Sequence, residues 1–411
     1  MKVVHLSYKD DQEGAAIAVD RLCEALSKSS IESRILVQKK VSSKQYTTLF
    51  SNSSWGKFLS YLRIGLDLLA SKIICNSKDV YFSFPFFGKN IDDHNLVQSA
   101  DIIHVHWINR GFQSLSSLEK LTKLGKPVIL TLHDSWYVTG GCHMVGGCIQ
   151  FKYGCAQCPS VRFNWLTGYF LRKKKNIFSK SNVHFVAPSM WSKIVAQGSH
   201  VTYGKEISVI PNCIDSEVFK PVPEITAKLL FNLPVNKNII LINITNDLRK
   251  GVIFTRKVIE RMLSTCDDVA FVGFGTDTLT GSVFEGLPIK LVGRINDKYS
   301  MVMLYNASSV LLSPTMEEPF GQTFIESMSV GTPCVAFNHS GPKDIISHKL
   351  DGYLAKFGDV DDLVDGLNYC ISEKKALAYN CRKKIIDEFS YLSVSNKIKH
   401  FYNLVCGNND Y

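Results

Sequence analysis

Short apolar, β-branched runs alternate with helical patterns along the whole chain, and this alternation restricts the fold more than any other feature. Val3–Ser7 reads as a first strand and leads into a helix start at Gly14-Ala15-Ala16. Ile31–Val37 reads as a second strand. Ile102–His106 and Val128–Leu132 are near-continuous apolar runs, as strands buried on both faces tend to be. Phe185–Ala187 and Ser208–Ile210 continue the series. Strand, helix, strand at this spacing predicts an α/β architecture, a parallel sheet with helices on both faces.

The pattern breaks at Pro211-Asn212, and the stretch to Pro223 carries three prolines. It reads as a hinge. The alternation then resumes, with strands at Ile239–Thr245, Val269–Val272, Ile289–Val292, Val310–Ser313 and Cys334–Phe337. Helices are predicted at about 297–307, 321–330, 359–373 and 376–389. A chain of 411 residues exceeds one ordinary core. The expected division is a domain over 1–210, a hinge over 211–223 and a second domain over 224–390, with a helix at about 391–411 packing back on the first. Two doubly wound domains of this kind place a ligand cleft between the carboxyl ends of their strands.

Net charge is +10, from 47 basic and 37 acidic residues, which predicts an anionic partner. The basic residues are scattered without an aromatic-basic motif, which argues against nucleic acid. No apolar run reaches the roughly 20 residues that span a bilayer. The N-terminus meets Ser7-Tyr8-Lys9-Asp10 too soon for a signal peptide, so a cytoplasmic location is expected. Trp55–Cys75 carries Phe58, Leu59, Leu62, Leu66, Leu69 and Ile73 at helical spacing, punctuated by Lys57, Arg63 and Lys72. Such a stripe either packs on its own domain or, with the basic run Arg172–Lys175, lies on an anionic membrane as a peripheral helix.

The densest chemistry is in Ser313-Pro314-Thr315-Met316-Glu317-Glu318-Pro319-Phe320-Gly321-Gln322-Thr323-Phe324-Ile325-Glu326. A strand ends, a Pro-Gly turn follows and an amphipathic helix begins. First-turn amides lack internal partners and can hold a phosphate. Glu318 precedes the helix and Glu326 lies about two turns inside it, a spacing that suits hydroxyl-rich ligands because an ionised carboxylate is a pure acceptor. Taken alone, the pair also reads as a helix-dipole acid and a solvent-facing acid.

This segment resembles the Glu-x7-Glu motif of the retaining GT-B glycosyltransferases of family four. Met328-Ser329-Val330-Gly331-Thr332-Pro333-Cys334-Val335-Ala336, Gly293-Arg294 and Tyr305-Asn306-Ala307-Ser308 extend the resemblance. It implies two Rossmann-like domains and transfer of a hexose from a nucleotide sugar, a UDP-sugar in most of the family, to a glycan or lipid-linked acceptor. It places Glu318 against the donor sugar, Glu326 on the ribose, and the Phe320-Gly321-Gln322-Thr323 turn on the donor. Lys250, at the start of a helix after a strand, would hold the diphosphate, with the adjacent Arg249 in place of an arginine that the family carries a few residues earlier. Gly14 would let the chain approach the donor phosphate or the acceptor.

Leu132-His133-Asp134-Ser135-Trp136 and His104-Val105-His106-Trp107 resemble a subgroup that builds capsule, O-antigen and exopolysaccharide. By that resemblance His133 lies near the donor sugar, and His106 and Trp107 lie nearer the acceptor. Catalysis is expected to need no metal, since Lys250 and helix N-termini meet the diphosphate charge. A separate cluster, Cys142, Cys148, Cys155 and Cys158, reads as a tetrahedral structural zinc site or as reduced thiols. The rival class is a non-catalytic sugar-nucleotide-binding or scaffolding protein of the same fold; intact Glu318, Glu326, Lys250 and His133 argue against it.

Overall fold

The computed structural model describes residues 1–11, 13–51, 53–76 and 81–407. Contacts divide the chain into two compact units. One comprises Met1–Cys213 with the C-terminal segment from Val394, and the other Ile214–Ser393.

The first unit is built on seven strands: Lys2–Lys9 (β1), Glu32–Lys39 (β2), Thr47–Leu49 (β3), Ile102–Val105 (β4), Val128–Thr131 (β5), Val183–Ala187 (β6) and Ile207–Val209 (β7). They pair in parallel in the order β3-β2-β1-β4-β5-β6-β7. Both faces of β4 and β5 are buried, which explains their unbroken apolar sequences. The main core of this unit takes Val4 and Leu6 from β1, Ile103 and Val105 from β4, and Phe112, Trp136 and Phe178 from the covering segments. The helix Tyr391–Val405 joins this unit from Val394, and its Tyr402 is fully buried against His104 of β4.

The second unit has six strands: Asn238–Asn243 (β8), Val269–Phe274 (β9), Ile289–Leu291 (β10), Val310–Leu312 (β11), Cys334–Phe337 (β12) and Gly352–Ala355 (β13). All pairs are parallel, in the order β10-β9-β8-β11-β12-β13. Two apolar clusters lie on it, one around Leu241, Tyr305 and Met328, the other around Ile240, Ile259 and Leu367. Each unit is therefore an α/β Rossmann-like fold. The strand order reverses between β1 and β4 in the first and between β8 and β11 in the second, and sheets of this kind bind ligands at the carboxyl side of such a reversal.

Two strands escape the sequence reading, Thr47–Leu49 and Gly352–Ala355. Both are short edge strands, with too few residues to show a period. The last helix of the second unit also differs: the α-helix Lys374–Lys384 relaxes into a π turn over Ile385–Phe389.

Residues 216–219 are fastened by Arg382 together with Ser329, whose hydroxyl donates to the Phe219 carbonyl at 2.7 Å. The Arg382 guanidinium donates to the carbonyls of Ser216 and Phe219 at 2.7 Å each and to that of Ser329 at 2.9 Å. Arg382→Met removes charge-assisted bonds and leaves carbonyls unmet, so it should lower stability by about 2–4 kcal/mol. Urea unfolding of the full chain measures this; a loss below about 0.5 kcal/mol, the usual size of a surface substitution, would show that Arg382 fastens nothing.

Candidate active site

The loops that follow β8 and β11 meet at the reversal point of the second sheet. After β8 the chain makes a single 3-10 turn, Leu248–Lys250, and then the helix Val252–Leu263. Gly251 joins them at φ 71°, where a Cβ would lie 1.8 Å from the Pro314 carbonyl oxygen, so only glycine lets this loop approach the one after β11 so closely. Met316 N–H donates to the Arg249 carbonyl at 2.8 Å and fixes the contact. The result sets Arg249 and Lys250 beside Glu318.

Lys250 Nζ donates to Glu318 Oε2, and Arg249 lies 3.6 Å from the same oxygen while donating to the Glu317 carbonyl at 2.7 Å. The Glu318 side chain is 16% exposed. Burial pushes its carboxyl up, but the charges of Lys250 and Arg249, the Lys250 hydrogen bond and the Phe320 N–H outweigh this and hold it below the usual carboxylate range. The loop after β12 closes the other side: Glu318 N–H donates to Ser340 Oγ at 3.2 Å, and Gly341 N–H donates to the Glu318 carbonyl at 2.7 Å. A Cβ on Gly341 would meet that carbonyl at 2.7 Å.

The helix Gln322–Ser329 starts at Gly321, which gives it no side-chain cap, and the helix Val252–Leu263 starts uncapped at Gly251. Both present the positive ends of their dipoles beside Glu318. Glu326, about one turn into this helix and not the two turns expected from sequence, is buried and accepts from the Tyr305 hydroxyl at 2.9 Å. Gln322 and Thr323 are partly exposed, whereas Gly321 and Phe320 are buried. Phe320 packs near Phe389, so it serves the site through its amide and not its ring.

In the first unit the reversal point is built of imidazoles. His5 and His104 are register partners on β1 and β4. His5 Nδ1 and His106 Nε2 lie 2.9 Å apart, as do His106 Nδ1 and His133 Nε2, so three rings form one hydrogen-bonded row ending at the partly exposed His133. Burial lowers His133 to about 4 and His5 to about 3, and holds His104 and His106 well below their usual value, so all four are neutral. His5 Nε2 is buried without a partner. A buried lone pair is better tolerated there than an orphaned N–H. The proton therefore sits on His5 Nδ1, then on His106 Nδ1, and His133 presents Nδ1–H outward as a donor.

Next to this row Asp134 accepts from Trp107 Nε1 at 2.8 Å and Trp136 N–H at 2.8 Å, and pairs with His143 Nδ1 at 2.6 Å. Burial pushes its carboxyl up, but His143 and these donors hold it low. Gly14 starts the helix Gly14–Lys28 after β1, exposed and with no side-chain cap before it.

A model of Glycosyltransferase Family 4 matches residues 13–218 of the 411, and a model of glycosyl transferases group 1 matches residues 287–387. The chain belongs to glycosyltransferase family 4. It is similar to the Escherichia coli UDP-Gal:α-D-GlcNAc-diphosphoundecaprenol α-1,3-galactosyltransferase, 26% identical over 217 residues that make up 48% of this chain and only 54% of that protein. Among solved structures it is similar to Anabaena HepE in complex with UDP-glucose, at TM-score 0.64 and 16% identity, covering 98% and 100% of the two chains. It is likewise similar to WaaG, a glycosyltransferase involved in lipopolysaccharide biosynthesis, at TM-score 0.61 and 14% identity, covering 98% and 100%. These likenesses show the GT-B fold.

Against this family 4 frame, several residues stand elsewhere than the sequence suggests. His106 is fully buried with both ring nitrogens engaged, so it orients His133 and cannot touch an acceptor. Trp107 is partly exposed but its indole N–H is committed to Asp134. Cys142, Cys148, Cys155 and Cys158 are thiols whose sulfurs do not form a close ligand group, and Cys155 and Cys158 pack in the core of the first unit. Burial pushes the Cys142 and Cys155 thiols up to about 12 and about 11. Among the described residues, the trio with donor atoms within 4.8 Å of one another is His5, His104 and His106. The His104 and His106 rings stack at 4.2 Å, and His104 is already bonded to Tyr402 and Thr131 at 2.7 Å each, so these rings cannot point at one ion in their planes. Tyr305, Ser340, Gly341, Asp134 and His5 were not read as site residues; the signals available were that Tyr305 and Asp134 stand in motifs that carry the family resemblance and that Ser340-Gly341-Pro342 directly follows a strand.

Two outcomes follow from the charge states. The histidines have depressed folded values, so the unfolded chain takes up protons first; stability is full above about pH 6.5 and is lost as pH falls towards 4. Urea midpoints across this range should fall, and nitrogen-15 shifts should show His133 neutral and protonated on Nδ1 at pH 6. Glu318 has the opposite dependence on its partner. Its depressed value stabilises the fold above the unfolded carboxyl range, a gain lost as pH drops through the folded value. Lys250→Met leaves the carboxylate with only Arg249 and the Phe320 N–H to offset its burial, and should cost about 1–3 kcal/mol at pH 7 and clearly less at pH 3. An equal cost at both pH values would show that the ion pair carries no stability.

Proposed function

We propose that this chain is a retaining hexosyltransferase that takes a sugar from a UDP-sugar and adds it to a growing polysaccharide or lipid-linked oligosaccharide. The observation that carries this reading is the Glu318–Lys250 pair at the reversal point of the second sheet, flanked by two uncapped helix N-termini. Cationic groups and helix dipoles there suit a diphosphate, and a desolvated carboxylate beside them suits the cationic sugar carbon of an oxocarbenium-like transition state. The HepE structure, similar in fold, is a complex with UDP-glucose.

In this reading the bond between the anomeric carbon and the diphosphate oxygen breaks while the acceptor oxygen bonds to that carbon on the same face. The acceptor proton passes to the departing diphosphate. Lys250, Arg249 and the amides of Gly321, Gln322 and Thr323 stabilise the leaving charge, so catalysis needs no metal ion. Glu318 stabilises positive charge at the ring and positions the sugar, and Glu326, oriented by Tyr305, accepts from the ribose hydroxyls. His133, at the reversal point of the first unit, takes the part of a neutral hydrogen-bond donor to a sugar or phosphate oxygen. A ring lowered to about 4 is a weak base at neutral pH, so its part is to hold rather than to take a proton.

Glu318→Gln keeps the shape and removes the charge, and should lower turnover on the order of 10²–10³-fold, as loss of transition-state charge stabilisation does elsewhere. Glu326→Ala should mainly weaken UDP binding, by about 1.5–3 kcal/mol, or roughly 10–150-fold in Kd. Calorimetry with UDP, and transfer assays with and without EDTA read by anomeric proton NMR, test this. Wild-type turnover in Glu318→Gln, or an inverted product, would overturn the assignment.

A further inference from the structure

The helix Ser54–Ile74 turns a mixed face inward, where Ile64, Ala70 and Ile74 pack partly buried on the core beside a polar row, and it leaves most of its large apolar side chains outside. Its fully buried residues are Ser60 and Asp67. Along the same inward row, Arg63 Nε donates to the Gly111 carbonyl at 3.1 Å and Ser71 Oγ to the Phe82 carbonyl at 3.3 Å. The residues turned to solvent are apolar: Trp55 is 68% exposed, Phe58 55%, Tyr61 67%, Leu62 47%, Leu69 53% and Ile73 53%. An amphipathic helix on a globular domain normally buries that stripe and exposes its charges. No helix among the described residues is long and apolar enough to cross a membrane.

A second helix continues this surface. Cys75 forms an antiparallel bridge with Val161, and Arg162 N–H donates to the Ile74 carbonyl at 2.8 Å, so the end of the first helix is tied to the start of the segment entering the helix Asn164–Phe178. That segment exposes Phe163, Trp165 and Tyr169. The charges are of one sign. Across Ser54–Ile74 and Asn164–Phe178 the only acid is Asp67, which is buried, while Lys57, Lys72, Arg162 and Arg172 are exposed and Lys173 and Lys175 partly so. Lys174 is not part of this charge: it is fully buried, donating to the Trp136 and Thr139 carbonyls, and burial lowers it to about 7. Beside the first helix a recess of about 580 Å³ is lined by Lys72, Arg110 and Arg162 above Asp67 and Ser71.

We infer that the outward face of Ser54–Ile74, with the exposed start of Asn164–Phe178, is a docking surface for an anionic phospholipid bilayer. The helix lies in the headgroup plane, its exposed leucines and Phe58 reaching the acyl boundary. Trp55, Tyr61, Trp165 and Tyr169 pair an apolar body with a polar tip, the composition found at the level of the headgroups. The uniformly positive charge complements lipid phosphates, and Lys72 and Arg162 at the recess give a phosphate a place to sit. A second copy of this chain would bring the same positive charge to the interface and meet repulsion. This inference is independent of the proposed transfer reaction.

Sedimentation with vesicles tests it. The full chain should pellet with vesicles rich in phosphatidylglycerol at low salt, stay in the supernatant with phosphatidylcholine alone, and be released at high salt. The triple variant Phe58→Ser, Leu62→Ser, Leu69→Ser should bind at least 10-fold more weakly. So should Arg172→Ser with Lys173→Ser and Lys175→Ser. All six positions are wholly or partly exposed, so thermal melts of the variants should match the wild type. Brominated lipids should quench the tryptophan fluorescence of the wild type, a readout that needs no variant. Equal recovery with neutral and anionic vesicles would overturn the inference. So would a dimer by light scattering that the apolar variant dissociates, since the face would then be a protein interface.

Discussion

A carboxylate withdrawn from water has to be compensated at once, and the C-terminal half of this family 4 chain is arranged around one that is. Glu318 keeps its charge because Lys250, Arg249 and the Phe320 amide surround it. Each comes from a different local device. Gly251 lets the loop after β8 pass within reach, the Pro-Phe-Gly turn aims the amide, and Ser340 and Gly341 hold the Glu318 backbone from a third strand. No strand or helix supplies the pair alone. The parallel sheet supplies it, by bringing the carboxyl ends of β8, β11 and β12 side by side. Lys250 and Glu318 satisfy each other, so the diphosphate of the proposed donor would have to compete with Glu318 for the lysine.

The N-terminal half meets the same burial problem in the opposite way. Its reversal point holds His5, His104, His106 and His133, all neutral, and it keeps them neutral by removing water and not by adding counter-charge. A row of neutral imidazoles is cheap to bury only if each bond has one proton and one lone pair. That condition couples the tautomers from His5 to His133. The partly exposed end of the row is therefore set by a ring two places away, and a change at His5 would alter the tautomer of His133 without touching its position.

Much of this was legible in sequence, and what was not has identifiable causes. The long buried strands and the Glu318–Glu326 spacing could be read because each is local, a period or an offset along one segment. The Lys250–Glu318 contact spans 68 residues and depends on strand order, which no window of sequence contains. Tyr305 on Glu326 and Tyr402 on His104 are equally non-local. The spacing of the four cysteines was readable too, but not that Cys155 and Cys158 are buried in the core. Lys174 is similar: in a basic run of four, a helix period of 3.6 turns one member inward whatever its charge, and here the inward one found two carbonyls and the face of Trp136 at 3.7 Å.

The stripe on Ser54–Ile74 makes the same point about direction. A period shows that a helix has two faces; it does not show which one the protein keeps. Turning this helix by half a turn would bury its leucines, yet the surface beneath presents the Gly111 and Phe82 carbonyls, which accept from Arg63 and Ser71. Leucine side chains there would leave both carbonyls unmet, at about 1–3 kcal/mol each. Asp67 would also lose the nearby Arg110 charge that offsets part of its burial. The inward face thus meets both needs of the surface beneath it: Arg63 and Ser71 answer its carbonyls while Ile64, Ala70 and Ile74 pack on its core, and most of the larger apolar side chains are left outside. Exposure of this kind persists in a free protein and does not wait for a partner to pull the helix round.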